Sequence, residues 1–172
     1  MAFRRSREWR QRHPATQVLS LETGHRRHYS EGAAYRDYFA TDRLMCNVPT
    51  RDDRLPTKAE VLALRSAGAP GEALAVAADF LASRPVYQGR IGAVEFVVLT
   101  DASGANRVYE GQGVRFAEWD RQASVLDSAG GTWQMDEASL TSAAGRVLKR
   151  LPAHRAFWFG WHAAFPATRL VK

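Results

Sequence analysis

Val94-Glu-Phe-Val-Val-Leu-Thr100 is the stretch with the strongest β-strand character in this sequence, since it is rich in β-branched and aromatic residues. The turn residues Asp101-Ala-Ser-Gly104 follow it directly. Asn106–Glu110 then has the length and composition of a partner strand. The whole stretch therefore predicts two strands joined by a short turn.

Short segments with strand character continue on both sides of this hairpin. Their close spacing and Gly-containing turns favour an α+β, β-rich fold of mainly antiparallel short strands, in a sheet or a barrel-like arrangement, over parallel βαβ units. Two helical turns are predicted, at 77–83 and at 136–140, where Asp136 is a candidate N-cap. The further predicted strands are Glu60–Arg65, Glu72–Val76, Val114–Phe116, Ser124–Asp127 and Thr132–Met135.

The C-terminal segment 151–171 is the densest apolar run. Trp158, Trp161 and Phe165 are three and four residues apart and share one face of a predicted helix. Pro166 ends that helix, and Leu170 and Val171 suit an extended segment. We expect this aromatic face to be core, with a tryptophan that lines a pocket as the alternative.

The same order of residues occurs near the N-terminus. Trp9 and Trp161 each precede a Pro-Ala-Thr sequence at the same spacing, and a polar residue and two aliphatic residues follow both copies. Such self-similarity suggests two related halves of a larger architecture. The alternating segment 17–21 is accordingly predicted to be a strand.

Composition limits the classes of protein that this sequence can represent. The chain of 172 residues, 45% hydrophobic and 24% charged, has the size and composition of one globular domain. Its only cysteine, Cys46, allows no intrachain disulfide, and we expect it to be a buried structural thiol. Clustered Cys and His residues are absent, so we expect no metal and no cofactor.

No apolar run is long enough for a membrane-spanning helix, and the N-terminus lacks the apolar core of a signal peptide. The sequence as written therefore predicts a cytoplasmic protein, or an extracytoplasmic one if the true N-terminus lies upstream.

The net charge of +6 is concentrated at the N-terminus, where residues 1–36 contain eight arginines and only three acidic residues. A basic segment of this kind can bind nucleic acid or an anionic surface. Compositional bias explains the abundance of arginine more simply, so nucleic-acid binding is a minor alternative.

Residues 25–53 form a long stretch without a clear period, and its aromatic side chains favour an ordered loop. We expect a non-catalytic binding or structural module, because no acid–base or nucleophile constellation emerges. The alternative is an enzyme or a binder of a small ligand or cofactor with a site in this loop. The candidate site residues are Tyr35, Tyr38, Asp53 and Trp133.

Three motifs resemble the bacterial and archaeal family known as domain of unknown function 3179. They are Leu19-Ser-Leu-Glu-Thr-Gly24, Asp52-Asp-Arg-Leu-Pro-Thr-Lys58 and Phe157-Trp-Phe-Gly-Trp161. Members of that family commonly carry a Cys-Pro-x-Cys-Gly run after the central strand. Here Thr100–Asn106 follows that strand without a cysteine, so a metal, haem or redox role that such a cysteine pair would support does not carry over to this chain from the resemblance.

Members of the family are usually longer and have an additional N-terminal half. The resemblance therefore implies that residues 1–13 are a charged helix left from a preceding half and that residues 14–172 are a single β-rich domain. Partners are unknown, and the missing half or a separate partner protein is a candidate.

Deletion of residues 1–12 is expected to change the free energy of unfolding by less than about 1 kcal/mol, the scale of surface changes. The physical reason is that a short arginine-rich helix with one large aromatic residue, Trp9, has no full apolar stripe with which to pack. Chemical denaturation of the truncated and full chains checks this. A much larger loss would show that Trp9 belongs to the core.

Overall fold

The structure is a computed structural model that describes residues 13–17, 19–30, 32–66 and 71–172. This part of the chain contains a 3-10 helix at Ala33–Tyr35 and the α-helices α1 (Arg36–Phe39), α2 (Ala78–Ser83) and α3 (Trp158–Ala164). Its strands are β1 (Glu60–Arg65), β2 (Ala73–Ala77), β3 (Val86–Ile91), β4 (Val94–Thr100), β5 (Asn106–Glu110), β6 (Phe116–Trp119), β7 (Ser124–Asp127), β8 (Thr132–Met135), β9 (Ser139–Ser142), β10 (Val147–Lys149), β11 (Ala153–Phe157) and β12 (Arg169–Val171).

These strands form three sheets. The first has the order β11-β1-β2-β12, the second has the order β3-β4-β5, and the third has the order β10-β9-β8-β7-β6. All pairs are antiparallel except that of β12 with β2, which is parallel. The prediction of a β-rich α+β fold with mainly antiparallel short strands and a Trp-rich C-terminal helix is confirmed.

Both faces of β4, the middle strand of the second sheet, are buried. Phe96 and Val98 pack with side chains of the first sheet. Val97 and Leu99 point the other way and pack with side chains of the third sheet. Since successive side chains of a strand alternate between faces, the second sheet must lie between the other two.

The first sheet is also covered on both faces. Leu62 and Leu64 of β1 face the second sheet, whereas Val61 and Ala63 pack against the tryptophans of α3. The described part of the chain is therefore a stack of four layers, a helix and three sheets. Burial on both faces explains why residues 61–64 of β1 and 96–99 of β4 are continuous apolar runs without a polar alternation.

Helix α3 is anchored by its two tryptophans. Trp158 and Trp161 are almost fully buried, and Phe165 at the end of the helix packs against them. The indole N–H of Trp161 donates to the Thr168 hydroxyl at 2.9 Å, and that of Trp158 donates to the Asp52 carbonyl at 3.1 Å. The prediction of an aromatic core face is confirmed for both tryptophans, and both polar N–H groups are satisfied, as buried indoles require.

Two local predictions were wrong. The described residues of 17–21 form no strand, and Leu19 is 95% exposed. Residues 136–140 form no helical turn, because β9 begins at Ser139 and pairs with β8. The Asp136 carboxylate does accept hydrogen bonds from the N–H groups of Ala138 and Ser139, so the predicted cap instead stabilises a turn between strands.

One further feature differs from the sequence predictions, since Cys46 is exposed although its apolar neighbours predicted burial. Residues 153–157, for which the sequence predicted no element, form the strand β11 directly before α3, which begins at Trp158. Pairing with β1 explains β11, because the partner strand supplies backbone hydrogen bonds that short-range sequence patterns do not reveal.

The two copies of the Pro-Ala-Thr sequence form the same turn. The Thr16 N–H donates to the His13 carbonyl, and the Thr168 N–H donates to the Phe165 carbonyl, both at 3.0 Å. The second copy continues into a strand, β12, which pairs with β2, whereas the described residues after the first copy, Gln17 and 19–21, form none. Trp9 of the first copy and the predicted N-terminal helix around it lie outside the described residues.

Trp161→Ala is expected to lower the free energy of unfolding by about 3 to 5 kcal/mol, since it removes a buried aromatic ring and leaves a cavity between α3 and the first sheet. Chemical denaturation measures the loss. Met45→Ala is the matched control, because Met45 is 71% exposed and should change stability by less than about 0.5 kcal/mol. Equal midpoints for the two variants would contradict the prediction.

Candidate ligand-binding site

A cavity of about 320 Å³ lies between β11 and the turn that joins β4 to β5. Its volume is at the lower end of the range of small-ligand sites, about 300 to 1,000 Å³. The lining combines apolar side chains with a few polar and charged groups. It is formed by Glu60, Leu62, Ser103, Gly104, Ala105, Asn106, Arg150, Ala153, His154, Arg155, Ala156 and Phe157.

One wall of the cavity is the β4–β5 turn, and Asp101 determines the shape of that turn. One carboxylate oxygen of Asp101 accepts hydrogen bonds from the Ser103 hydroxyl and from the N–H groups of Ser103 and Ala105, at 2.6 to 3.0 Å. The other oxygen pairs with Arg107 at 3.1 Å. Gly104 has a φ of +80°, which a residue with a side chain would adopt only with strain.

The same contacts set the ionisation of Asp101. Burial tends to raise its pKa, but the hydrogen bonds from Ser103, Arg107 and Ala105 outweigh burial, so the pKa lies below the ordinary value of 3.8. The carboxylate therefore stays charged at neutral pH and holds the turn.

Arg155 of β11 connects the opposite wall to this turn. Its guanidinium donates to the Gly104 carbonyl at 2.7 Å and pairs with Glu60 of the neighbouring strand β1 at 3.0 Å. Because Arg155 bridges the first sheet and the β4–β5 turn, it fixes the width of the cavity. A planar guanidinium with several N–H donors suits this double role.

A network of charges lies behind the turn. Arg107 pairs with Asp101 and with Glu137, and Arg150 also pairs with Glu137. These contacts connect the cavity wall at Arg150 to β5. A second cavity, of about 370 Å³, has a mostly polar and charged lining that includes Asp101, Arg107 and Glu137. Ligand sites are usually lined mainly by apolar side chains, so the first cavity is the better candidate for binding a ligand.

Asn106 is the most buried polar residue of the lining. Its side-chain amide donates to the Thr100 hydroxyl at 2.8 Å, whereas its Oδ1 atom is buried and accepts no hydrogen bond within the described part of the chain. An unpaired buried acceptor is costly and therefore uncommon. It marks this end of the cavity as a place where packing is not optimised for stability alone.

The structure brings two of the four predicted site residues together. Tyr35 and Tyr38 are in edge-to-face contact with their ring centroids 6.5 Å apart, and both rings contact Phe39. The ring centroid of Phe39 in turn lies 5.5 Å from that of Phe157, which lines the cavity. Lys58 lies over the Tyr38 ring and donates to the carbonyls of Tyr38 and Thr41, so the aromatic loop is pinned next to the cavity.

The other two predicted site residues lie elsewhere. Asp53 is exposed and lines a crevice of about 10 Å³, which is too small for an organic ligand. Trp133 is 3% exposed in the core between the second and third sheets, where its N–H donates to Asp127 at 2.8 Å. That hydrogen bond is the largest cause of the lowered pKa of Asp127.

The acidic motif of the sequence contacts the C-terminal helix through Asp52. Its carboxylate accepts hydrogen bonds from the Arg54 guanidinium at 2.9 Å, and Nε2 of the buried His162 lies 3.2 Å from one of its oxygens. The Arg54 side-chain hydrogen bond is the main reason that the pKa of Asp52 lies below 3.8. This segment is thus tied to α3, and the crevice that Asp52 and His162 line has a volume of only about 10 Å³.

Residues 13–17, 19–30, 32–66 and 71–172 contain neither a cluster of metal ligands nor a helix suited to crossing a membrane. No three side chains of His, Cys, Asp or Glu converge there as ligands for a metal ion. None of the helices there has the length and apolar character needed to cross a membrane.

The residues that line the cavity were not predicted from the sequence. Glu60, Asn106, Arg150 and Arg155 come from four separate strands or strand ends, and only the pairing of β1 with β11 brings Glu60 and Arg155 together. The one sequence signal was the turn at 101–104, which was predicted and which forms a cavity wall.

The layered sheets, the Trp helix and the cavity beside β11 define a β-rich protein with one candidate binding site. Residues 3–168 match the family described as "Protein of unknown function (DUF3179)". The chain therefore belongs to that family, and the resemblance inferred from its motifs is confirmed. No curated protein and no solved structure matches the chain.

Asp101→Asn is expected to lower the free energy of unfolding by about 1 kcal/mol at neutral pH, because it removes the charge that pairs with Arg107 and weakens the turn. The folded-state pKa of Asp101 is lowered, so its contribution is present above the unfolded-state pKa and disappears as the pH falls through the folded value. The difference between variant and wild type should thus shrink as the pH falls below about 4 and vanish once the pH lies below the folded-state pKa.

Denaturation of both proteins between pH 2 and 8 measures this difference. Asp53→Asn removes an exposed carboxylate and is the matched control, with no comparable pH-dependent loss expected. A difference between Asp101→Asn and wild type that stays constant down to the lowest pH would contradict the role assigned to Asp101.

Proposed function

We propose that this protein is a non-catalytic binding module whose ligand-binding site is the cavity between β11 and the β4–β5 turn. The observation that carries the proposal is a cavity of about 320 Å³ in which apolar side chains such as Leu62 and Phe157 alternate with Arg150, Arg155 and Asn106. Ligand sites generally combine a mostly apolar lining with a few polar groups that orient the ligand.

The walls of the cavity support a preformed site. Asp101 accepts three hydrogen bonds within the β4–β5 turn, and Arg155 ties that turn to β11. A site held in this way costs little ordering entropy on binding. The charged side chains are largely paired within the chain, through Arg155 with Glu60 and Arg150 with Glu137. This pairing favours a ligand that is polar and apolar in parts over a highly charged ligand.

The aromatic loop supports the same location. Tyr35 and Phe39 are more than half exposed, and Phe39 contacts the cavity residue Phe157. Exposed aromatic rings at the rim of a cavity are typical of interaction sites. The ligand site predicted around Tyr35 and Tyr38 is therefore retained as the rim of the proposed site, and Asp53 and Trp133 are not part of it.

A library of small polar and aromatic fragments is the probe for this function. Binding fragments are expected to shift the amide NMR signals of Gly104, Ala105 and Arg155. Ala105→Phe should weaken this binding more than about tenfold, because the larger side chain enters the cavity while the turn uses only the backbone of residue 105. Ala102→Phe is the matched control, since Ala102 is exposed in the same turn and does not line the cavity.

Two outcomes would contradict the proposal. One is that no fragment shifts these signals. The other is that fragments bind the Ala105→Phe and Ala102→Phe variants equally well.

A further inference from the structure

The outer edge of β11 presents unpaired backbone groups to the cavity. The N–H of Trp158 donates to the carbonyl of Ala59, so the pair of residues 158 and 59 is hydrogen-bonded across the ladder. In an antiparallel ladder such pairs alternate with pairs that make no mutual hydrogen bonds. Given the register of Glu60 opposite Phe157, the N–H and C=O groups of Ala153, Arg155 and Phe157 point away from β1.

The Phe157 carbonyl accepts the first hydrogen bond of α3, as the carbonyl of a helix N-cap does. β11 is the edge strand of its sheet, and no strand in the described part of the chain pairs with the other outward groups. All three residues line the cavity, so their outward groups lie at its side and not against a neighbouring element. Donors and acceptors that repeat at every second residue of a strand match the backbone of another extended strand.

We propose that the ligand of this site is an extended peptide segment of another protein, which adds to the first sheet as a fifth strand beside β11. This inference rests on the proposed binding function of the cavity and names the class of ligand. β11 has five residues and offers an edge of about 17 Å, enough for a peptide of similar length. Strand addition at an open sheet edge is a general mode of peptide recognition.

The other sheet edges are less suitable. β10 and β12 have three residues each, and β6 carries a bulge between Phe116 and Glu118. Short strands and bulges are features that discourage pairing at an edge. Beside β5, the N–H of Leu151 donates to the carbonyl of Val108, and at the edge of β3 the Arg169 side chain donates to the carbonyl of Arg90.

A second copy of this chain is a poorer occupant than a different peptide. If the β11 strands of two copies paired antiparallel over their full length, the two-fold axis would pass through Arg155, the central residue. The Arg155 side chains of the two copies would then lie opposite each other, and like charges in that arrangement are destabilising.

The side chains beside the edge predict the sequence of the peptide. Ala153, Arg155 and Phe157 point to the same face of the sheet because they are two residues apart. A peptide residue opposite Phe157 would also lie near Phe39, which is 53% exposed, and should be aromatic or β-branched. The residue opposite Arg155 should be acidic, so the two preferred residues are themselves two positions apart.

Selection from a displayed library of random peptides of about seven residues, which cover the five residues of β11 with one to spare at each end, tests the proposal on the full chain. The expected result is enrichment of an apolar residue and an acidic residue two positions apart. Binding of a selected peptide should slow the amide hydrogen exchange of Arg155 and Phe157.

Two synthetic forms of a selected peptide, N-methylated at alternate positions, provide the decisive comparison with wild-type protein. Methyl groups on the residues whose N–H groups face β11 should weaken binding more than about tenfold, whereas methyl groups on the intervening residues should change it by less than about threefold. Equal effects of the two forms, or slowed exchange at another edge, would overturn the proposal.

Arg155→Gln should reduce the preference for an acidic residue severalfold, and Lys149→Gln is its control, because Lys149 is an exposed cation on the edge strand β10. Equal effects of the two substitutions would count against the acidic preference. If fragments bind the cavity and no peptide is selected, the peptide inference fails while the proposed binding function stands. If neither fragments nor peptides bind, both fail.

Discussion

The burial of β4 on both faces is the constraint on which the rest of this structure depends. Phe96 and Val98 require an apolar layer on one side, and Val97 and Leu99 require one on the other. A strand of this kind cannot lie at the surface, because exposing either face would leave about half of its apolar area in water. The first and third sheets satisfy the two faces, and α3 then covers the outer face of the first sheet.

The candidate site follows from this stacking. The turn after β4, in the middle layer, lies beside β11, an edge strand of the first sheet. The space between this turn and β11 is the cavity. Asp101 shapes the turn and Arg155 joins it to β11. Partly exposed ion pairs such as Arg155 with Glu60 contribute little to stability. Their larger effect is geometric, since they hold the two walls at a fixed separation.

The repeated Pro-Ala-Thr sequence separates local from tertiary effects. Both copies form the same turn, with equal hydrogen bonds from Thr16 to His13 and from Thr168 to Phe165. The aliphatic residues after the second copy form β12, for which β2 offers an edge, whereas the described residues after the first copy, Gln17 and 19–21, form no strand. In the first copy Leu19 is exposed. Turn formation depends on residues a few positions apart, whereas a strand needs a partner.

The sequence by itself determined the elements with strong local signals. The strands Val94–Thr100 and Asn106–Glu110, with the turn between them, and the buried face of Trp158 and Trp161 were predicted correctly. The family was also evident from the order of its motifs, although no single motif is specific. These features depend on composition, turn residues and helical spacing, which are all readable over short distances.

Only the tertiary structure decided that residues 153–157 form β11 and that Cys46 is exposed. It also placed Trp133 in the core between the second and third sheets, away from the aromatic loop. It alone brought Glu60 to Arg155, across 95 residues of sequence. The physical reason is that strand pairing and layer packing join segments far apart in the chain. An edge strand with unpaired backbone groups therefore becomes visible only when its neighbours are known.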